Sequence, residues 1–181
     1  MVRGTFSPAR AWRPAVVARL ARTLGLMNEA SSPHSKVLFR MPEDDGSSRV
    51  ETLWAIPLGE DKYVLDNSPF YAYSVSWKDT VYAPVTEVEG LPTFVRVIKK
   101  SGHRTVRVIF EPPVQEGNES DVLLQGLLKL GCTYEGANRG YMAIDLPPEV
   151  SLESVRQYLI EQRAQWEHAD PTYAALFPNE A

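Results

Sequence analysis

The stretch of sequence that decides the fold is residues 101–148, SGHRTVRVIFEPPVQEGNESDVLLQGLLKLGCTYEGANRGYMAIDLPP. Alternating apolar and polar positions predict strands over residues 103–110, 132–136 and 141–146, and leucines at helical spacing predict a helix over residues 121–130. The order is strand, helix, strand, strand. With a second helix further along the chain, it makes up most of a ferredoxin-like β-α-β-β-α unit, which lacks its final strand.

The two predicted helices have recognisable ends. Ser120 is expected to cap the first helix, and Gly131 stands where a glycine commonly follows a helix C-terminus. Ser151 is expected to cap the second helix, whose apolar face includes Trp166. Residues 169–181 show no periodicity, so we expect a C-terminal tail there.

The preceding residues have a hydrophobic period of two rather than 3.6. About six short strands, one of them over residues 70–74, are separated by turn-forming residues, and such density is typical of a small barrel or a strongly bent sheet. We therefore expect an α+β protein with a single compact domain, residues 36–168. In it a β-rich, barrel-like lobe (residues 36–100) is fused to the partial ferredoxin-like lobe (residues 101–168).

Residues 1–35 differ from the rest in composition. They contain five arginines and one acidic residue, Glu29, and apolar residues from Trp12 to Leu24 fall on one helical face. An Arg-rich amphipathic helix is typical of organelle transit peptides and of membrane-surface helices. The simpler interpretations are an N-terminal extension followed by a linker, or a true translation start at Met27.

The composition excludes several classes of protein. Hydrophobic content of 44% and charged content of 23% are ordinary for a soluble globular protein. No apolar run reaches the roughly 18 residues of a transmembrane helix. One cysteine permits no internal disulfide, which favours a reducing, cytoplasmic location. Three scattered histidines, without CxxC or HExxH spacing, predict no metal site and no cofactor.

Charge is unevenly distributed along the chain. Residues 1–35 carry a net charge of +4, whereas the rest of the chain holds 14 basic and 22 acidic side chains, a net charge of −8. An acidic surface repels phosphate backbones, so no nucleic-acid partner is expected. A basic protein is the partner that such a charge favours.

Cys132, His103 and Glu135 are the candidate catalytic residues. A cysteine nucleophile needs a nearby base and an acid that orients this base. His103 opens one predicted strand and Cys132 opens its expected neighbour, while Glu135 or Asp66 is available as the acid. However, Cys132 follows a helix C-terminus and has no cation beside it in sequence to stabilise a thiolate. A small buried core cysteine is therefore the simpler interpretation.

Four acidic residues lie in or beside apolar strand segments: Glu51, Asp66, Glu135 and Asp145. Paired carboxylates can serve acid–base chemistry or hold a metal ion. Since no motif links these four, we expect them to pair with neighbouring arginines such as Arg107, because partly buried charges are normally paired.

An aromatic cluster between positions 54 and 82 provides the candidate binding residues. Side chains alternate across a strand, so Phe-Tyr-Ala-Tyr at 70–73 cannot bury every ring. Exposed tyrosines often belong to binding surfaces, since they combine an apolar ring with a polar hydroxyl. We predict a binding surface formed by Tyr71, Tyr73, Trp77, Asp66 and Glu51.

Six short motifs follow one another in order: KVLFR at 36–40, ETLWA at 51–55, LDNSPFYAY at 65–73, SGHRTVR at 101–107, LGCTYEG at 130–136 and AIDLPP at 143–148. Together they resemble the bacterial family catalogued as domain of unknown function 4265, over about residues 36–168. The resemblance implies a soluble bacterial protein and carries over no catalytic residue. It does not include residues 1–35, which argues against an organelle transit peptide.

Three functions follow from these observations. The leading hypothesis is a non-catalytic binding module that presents an acidic, tyrosine-containing face to a basic protein partner, in an immunity-like or regulatory role. The second is a hydrolase or acyl transferase that uses Cys132 and His103. The third is a small-ligand sensor with a site between the two lobes, by analogy with other ferredoxin-like units. A pocket that contains both Cys132 and His103 would favour the enzyme.

Overall fold

The computed structural model of the protein describes residues 34–43 and 45–179, which form two antiparallel sheets and three helices. The predicted N-terminal amphipathic helix lies outside these residues. The described residues combine two sheets with three helices, and they contain more strand than helix. None of the helices in the described ranges is long and apolar enough to cross a membrane.

The first sheet has five strands in chain order: β1 (Ser35–Pro42), β2 (Ser48–Gly59), β3 (Lys62–Leu65), β4 (Thr80–Tyr82) and β5 (Arg96–Lys99). In β2 every second residue is buried, as period-two alternation requires, so Glu51, Leu53 and Ala55 face inward. Val37 and Phe39 of β1 pack with them in the core of this sheet.

The first sheet is open, so the predicted barrel-like closure is wrong. In the described residues, the only strand pairing between β1 and the chain just before β5 is an isolated parallel bridge, Leu38–Thr93. Leu38 donates to the Pro92 carbonyl and accepts from the Phe94 amide, each at 2.8 Å. Pro92 has no N–H to donate, so this pairing cannot extend toward the start of β1.

Residues 70–74, predicted as a strand, form no strand. They belong to residues 66–79 between β3 and β4, which we call the connecting segment. The amides of Phe70, Tyr71 and Ala72 donate to the side chain of Glu51 instead of to a neighbouring strand. A strand prediction fails here because a carboxylate takes the donors that a ladder needs.

The second sheet has four strands and two covering helices: β6 (Arg104–Ile109), α1 (Glu119–Lys129), β7 (Thr133–Asn138), β8 (Tyr141–Leu146), α2 (Leu152–Glu161) and β9 (Gln165–Asp170). Its strand order is β7-β8-β6-β9, and every neighbouring pair is antiparallel. A short helix, α3 (Tyr173–Leu176), follows β9.

The prediction that this unit lacks its final strand is wrong, because β9 pairs with β6. Helix α2 ends at its C-cap, Gln162, and Arg163 turns the chain with a φ of 53°. Trp166 then lies in β9 and not on a helix face. The error arose because Trp166 is seven residues after Leu159, a spacing of two helical turns that also continues the apolar stripe of α2. β9 and α3 also occupy part of the predicted irregular tail.

Of the three residues predicted to mark helix ends, Ser151 and Gly131 are confirmed and Ser120 is not. Ser151 caps α2 as predicted, and Gly131 follows α1 with a φ of 95°. Helix α1 is capped by Asn118, whose side chain accepts from the Asp121 amide at 2.9 Å, and not by Ser120. Ser120 lies inside the first turn and donates to the Pro112 carbonyl.

The two faces of the second sheet differ in chemistry. On the helix side, Val106, Val108 and Ile144 pack with Leu127 of α1 and Leu159 of α2. Because side chains alternate, the opposite face presents the intervening residues of each strand, which are largely polar: Thr105, Arg107, Glu135, Tyr141, Asp145 and Glu167. A buried polar face needs hydrogen-bond partners, and the connecting segment provides many of them.

Candidate functional site

The connecting segment is hydrogen-bonded to all four strands of the second sheet, and its bonds to β6 are made by Arg107 and Thr105. Ser68 donates its amide to the Glu135 carboxylate of β7 at 2.8 Å. The Tyr141 hydroxyl of β8 donates to the Phe70 carbonyl at 2.7 Å. Further on, the Ser74 amide donates to the Ala169 carbonyl of β9 at 2.9 Å. The segment is therefore held along much of its length.

A polar cluster holds the far end of the connecting segment. The buried Ser76 hydroxyl donates to the Asp170 carboxylate at 2.7 Å and lies 2.9 Å from the Thr105 hydroxyl. The Lys100 ammonium binds both Asp170, at 2.7 Å, and the fully buried Asp79, at 3.0 Å. Carboxylates this deeply buried are stable only when paired in this way.

From the first sheet, Glu51 holds the middle of the connecting segment. Its carboxylate, only 8% exposed, accepts from the amides of Phe70, Tyr71 and Ala72 at 2.7, 2.9 and 2.8 Å. Charge-assisted hydrogen bonds of this kind are among the stronger ones in proteins. Glu51, predicted as a binding residue, therefore supports the backbone that carries two others, Tyr71 and Tyr73.

Tyr71 and Tyr73 present their rings beside arginines. The Tyr71 ring stacks on Tyr141 with centroids 5.9 Å apart, and the Arg49 guanidinium lies 5.5 Å from its centroid. The Arg107 guanidinium lies 4.4 Å from the Tyr73 centroid. Guanidinium groups therefore lie beside both rings, in addition to the carboxylate of Glu167, which accepts a hydrogen bond from the Tyr73 hydroxyl.

Arg107 is a site residue that sequence analysis considered only as a salt-bridge partner. Its side chain is 2% exposed, donates to Glu167 at 3.0 Å and to the Ala72 carbonyl, and leaves its buried Nε without a partner in the described part of the chain. The signal was present: Arg107 stands between Val106 and Val108 in an otherwise apolar strand. A charged side chain in such a strand is rarely buried without a polar or charged partner.

Glu167 joins the tyrosine and the arginine. Its carboxylate accepts from the Tyr73 hydroxyl at 2.8 Å and from Arg107 at 3.0 Å. Burial, followed by the hydrogen bond to Glu167, raises the pKa of Tyr73. Burial raises the pKa of Tyr141 to about 12. Both phenols therefore stay neutral near pH 7 and keep their donor hydrogens.

These residues surround a cavity of about 810 Å³ between the two sheets. We call it the inter-sheet cleft and define it by six of its lining residues: Arg49, Tyr71, Tyr73, Arg107, Tyr141 and Glu167. The first sheet contributes Phe39 of β1 to the same lining. This volume lies within the range of about 300–1,000 Å³ that is usual for small-molecule sites.

Ser74, next to Tyr73, has a left-handed backbone conformation with a φ of 61°. Such a conformation is uncommon for residues other than glycine and often occurs at functional sites. Both backbone groups of Ser74 are bound: the amide to Ala169, and the carbonyl to the Lys100 ammonium at 2.8 Å. These contacts hold the turn that directs the Tyr73 ring into the cleft.

The remaining predicted binding residues, Asp66 and Trp77, are absent from the lining of the cleft. Asp66 lies 2.9 Å from His34, and both side chains are partly exposed. The Trp77 ring packs edge-on against His103 at 5.3 Å, with the Lys78 ammonium 4.3 Å from its centroid. The structure thus brings Tyr71 and Tyr73 together at the cleft, whereas Asp66 and Trp77 lie outside its lining.

The three candidate catalytic residues have separate partners. Cys132, 3% exposed, packs in the apolar core of the second sheet, and burial raises its pKa to about 12. His103 Nδ1 lies 2.8 Å from the Asp145 carboxylate. Glu135 binds the Ser68 amide. No hydrogen bond joins Cys132 to His103 within the described residues.

Burial also affects the acids of this face. It raises the pKa of Glu135 and of Asp145, although hydrogen bonds from Ser68 and His103 respectively oppose the effect. Within residues 34–43 and 45–179, no three His, Cys, Asp or Glu side chains come together as a metal site. What the cleft offers chemically is therefore aromatic surface, hydroxyl donors and guanidinium groups.

Comparison with known proteins identifies the fold and the family. A crystal structure of a hypothetical protein from Neisseria gonorrhoeae is similar, with a TM-score of 0.65 and 14% sequence identity, over 78% of this chain and 97% of that one. At this identity the likeness shows the fold alone.

A search of curated proteins finds no match. The model of the family described as "Domain of unknown function (DUF4265)" matches residues 51–169. The resemblance inferred from the motifs is confirmed, although the matched region begins at Glu51 and not near Lys36. This chain belongs to the DUF4265 family.

Proposed function

We propose that this protein is a non-catalytic binding protein whose inter-sheet cleft binds a small molecule. One observation carries the proposal: Tyr71 and Tyr73, chosen from sequence as binding residues, line the same cavity as Arg107 and Tyr141. Small-molecule sites are typically concave, largely apolar and aromatic, with a few polar groups that orient the ligand. The cleft has these properties.

The rigidity of the cleft also supports binding. Glu51 holds the backbone of Tyr71 from the first sheet, while Tyr141 and Arg107 bind the carbonyls of Phe70 and Ala72 from the second. Since these contacts are all made within the chain, binding need not order the connecting segment. Preorganised sites lose less free energy on association.

The Cys132 and His103 alternative has less support. A nucleophilic cysteine must reach the thiolate state, and a buried thiol with a pKa of about 12 is almost entirely protonated at pH 7. His103 is bonded to Asp145 and packs on Trp77. These contacts describe a structural histidine at the edge of the connecting segment.

A protein partner is the second candidate. Apolar side chains are exposed on and directly before the edge strand β5, among them Val95, which is 56% exposed, and Ile98. Edge strands can pair with a strand from another protein. An immunity-like or regulatory role toward a basic protein, as expected from the net charge of −8 after residue 35, is the form of this candidate that the sequence predicts, although β5 itself carries Arg96 and Lys99.

The experiment is a thermal-shift screen of the full chain with a panel of small metabolites. A compound that binds the cleft should raise the Tm of the parent but not that of Tyr71→Ala. The matched control is Tyr82→Ala, because Tyr82 also has an arginine, Arg96, 5.4 Å from its ring centroid but lies outside the cleft. Compounds that stabilise Tyr71→Ala as much as the parent would contradict the proposal.

Three finer assignments accompany this function. We propose that the second sheet is a ferredoxin-like unit, a view supported by the strand order β7-β8-β6-β9 with α1 and α2 as connections. A bacterial source and a cytoplasmic location stay predictions.

A further inference from the structure

We infer that the ligand of the inter-sheet cleft combines a planar apolar body with one anionic group, a carboxylate or a phosphate. This inference rests on the proposed function and names the chemical class of the ligand. It follows from three features of the cleft: a buried arginine with spare donors, a second arginine in an exposed ion pair, and parallel aromatic rings in the walls.

Arg107 is the buried arginine. A guanidinium has five N–H donors, and Arg107 uses one toward Glu167 and one toward the Ala72 carbonyl. Its Nε has no partner in the described part of the chain, although the side chain is almost fully buried. Buried donors are nearly always satisfied, so the guanidinium of Arg107 has room for a further acceptor. Because Nε is shielded from the cleft, an anion would reach Arg107 through the spare N–H groups of its two terminal nitrogens.

Glu167 only partly neutralises this charge. Its carboxylate is shared between Arg107 and the Tyr73 hydroxyl. The Glu167 side chain is also 44% exposed, so water competes for it. An anion inside the cleft would supply further acceptors to Arg107, and planar guanidinium groups match carboxylate and phosphate geometry well.

Arg49 is the second cation. Its guanidinium lies 5.5 Å from the Tyr71 ring centroid, and its partner is Glu43 at 2.9 Å. The side chains of Arg49 and Glu43 are 56% and 39% exposed. Exposed ion pairs contribute little free energy, so Arg49 can exchange Glu43 for a ligand anion at small cost.

Every arginine in the lining of the cleft has a carboxylate partner, so a ligand anion must replace one of these carboxylates, and the pair formed by Arg49 and Glu43 is the most exposed of the three. Three arginines and two glutamates line the cleft: Arg40, Arg49, Arg107, Glu43 and Glu167. Arg40 is paired with Glu89, which is not part of the lining. A second anion-binding contact must therefore come from Arg49, which makes it the residue on which to test the inference.

The apolar body of the ligand is inferred from the rings. Tyr71 and Tyr141 are stacked with an interplanar angle of 20°, and Phe39 and Phe94 with one of 21° and a centroid distance of 4.5 Å. Stacked and offset rings bind other flat surfaces favourably. All four rings belong to the lining of the cleft.

The test uses two fluorescent probes with the same ring system. The anionic probe is 8-anilinonaphthalene-1-sulfonate, and the neutral probe is N-phenyl-1-naphthylamine, which lacks the sulfonate. We expect saturable binding of the anionic probe that is about tenfold tighter than that of the neutral probe, which corresponds to about 1.4 kcal/mol. Naphthalene-1-carboxylate and 1-naphthyl phosphate, added as competitors, then distinguish the two kinds of anion.

Variants assign this difference to the cleft. Arg49→Gln should lower the affinity for the anionic probe by about fivefold, the effect of a charge contact of moderate strength. It should leave the affinity for the neutral probe unchanged. Glu43→Gln should raise the affinity for the anionic probe, because it removes the carboxylate that is paired with Arg49. The matched control is Arg96→Gln, since Arg96 stands over Tyr82 in the same way but outside the cleft. Near-UV circular dichroism shows whether each variant keeps its fold.

The outcomes separate this inference from the proposed function. If the two probes bind with equal affinity and Tyr71→Ala lowers both affinities, the ligand need not be anionic and this inference is wrong. The same result would still support the cleft as a ligand site. Tight anionic binding that Arg49→Gln leaves unchanged would also overturn the inference. If neither probe saturates and Tyr71→Ala has no effect on fluorescence, the cleft itself is not a ligand site.

Discussion

The carboxylate of Glu51 accepts a 2.9 Å hydrogen bond from the backbone amide of Tyr71. Both residues were predicted to belong to one binding surface, but they have different positions. Glu51 is buried on β2, while the Tyr71 ring lies in the lining of the inter-sheet cleft. The acid therefore fixes the backbone from which the aromatic ring is presented.

Glu51→Gln should destabilise the protein by about 2–4 kcal/mol, because an amide has only one acceptor oxygen for three amides and loses the charge that strengthens these bonds. Urea unfolding measures the change. Glu149→Gln, at an exposed position, is the control and should change stability by less than about 0.5 kcal/mol. Equal stability of the two variants would mean that Glu51 does not hold the connecting segment.

Cys132 should react slowly with a thiol reagent in the folded protein and at the ordinary rate after unfolding. Burial blocks access and, by raising the pKa to about 12, removes the thiolate. His103→Gln should leave the folded-state labelling rate unchanged, because His103 is bonded to Asp145. Rapid labelling near pH 7 that disappears in His103→Gln would instead support the enzyme.

Glu135 should make the stability depend on pH. Burial raises its pKa above 4.5, so the fold favours the protonated acid, and its contribution to stability is lost as the pH rises through the raised pKa. Glu135→Gln keeps an acceptor for the Ser68 amide but cannot ionise. We expect the unfolding free energy of this variant, minus that of the parent, to increase between pH 4 and pH 7. A difference that is flat with pH would contradict a buried ionisable Glu135.

Gly126→Ala should destabilise α1, although alanine usually favours a helix by about 1 kcal/mol. A Cβ at this position would lie 1.9 Å from the Tyr158 hydroxyl oxygen of α2, which donates to the Leu123 carbonyl at 3.1 Å. Overpacking of this kind typically costs about 1–3 kcal/mol. Gln125→Ala, exposed on the same helix, should be neutral or slightly stabilising.

A second variant identifies the cause of that loss. In the background of Tyr158→Ala the obstructing ring is absent, so adding Gly126→Ala should then cost little or even stabilise the helix. Thermal unfolding of the two single variants and the double variant gives the coupling energy. Additive effects would show that the two helices do not meet at Gly126.

Local patterns in the sequence determined most of the elements. Period-two alternation located β2 and β8, leucines at helical spacing located α1, and Ser151 marked the start of α2. These predictions depend only on residues a few positions apart, whose geometry the backbone itself imposes. β9 was missed because Trp166 continues the helical spacing of α2, although the chain has already turned at Arg163.

The tertiary structure alone decided what each polar residue does. Tyr73 and Glu167 are 94 residues apart in sequence, and Arg107 reaches Ala72 across 35 residues. The alternation of side chains along β6 predicts that Arg107 lies on the face opposite Val106 and Val108. It does not predict that the connecting segment crosses that face. Side-chain alternation is a local property, whereas the partner of a buried charge depends on which surfaces meet. The sequence therefore determined the faces of the strands, and the packing of the two sheets determined the cleft.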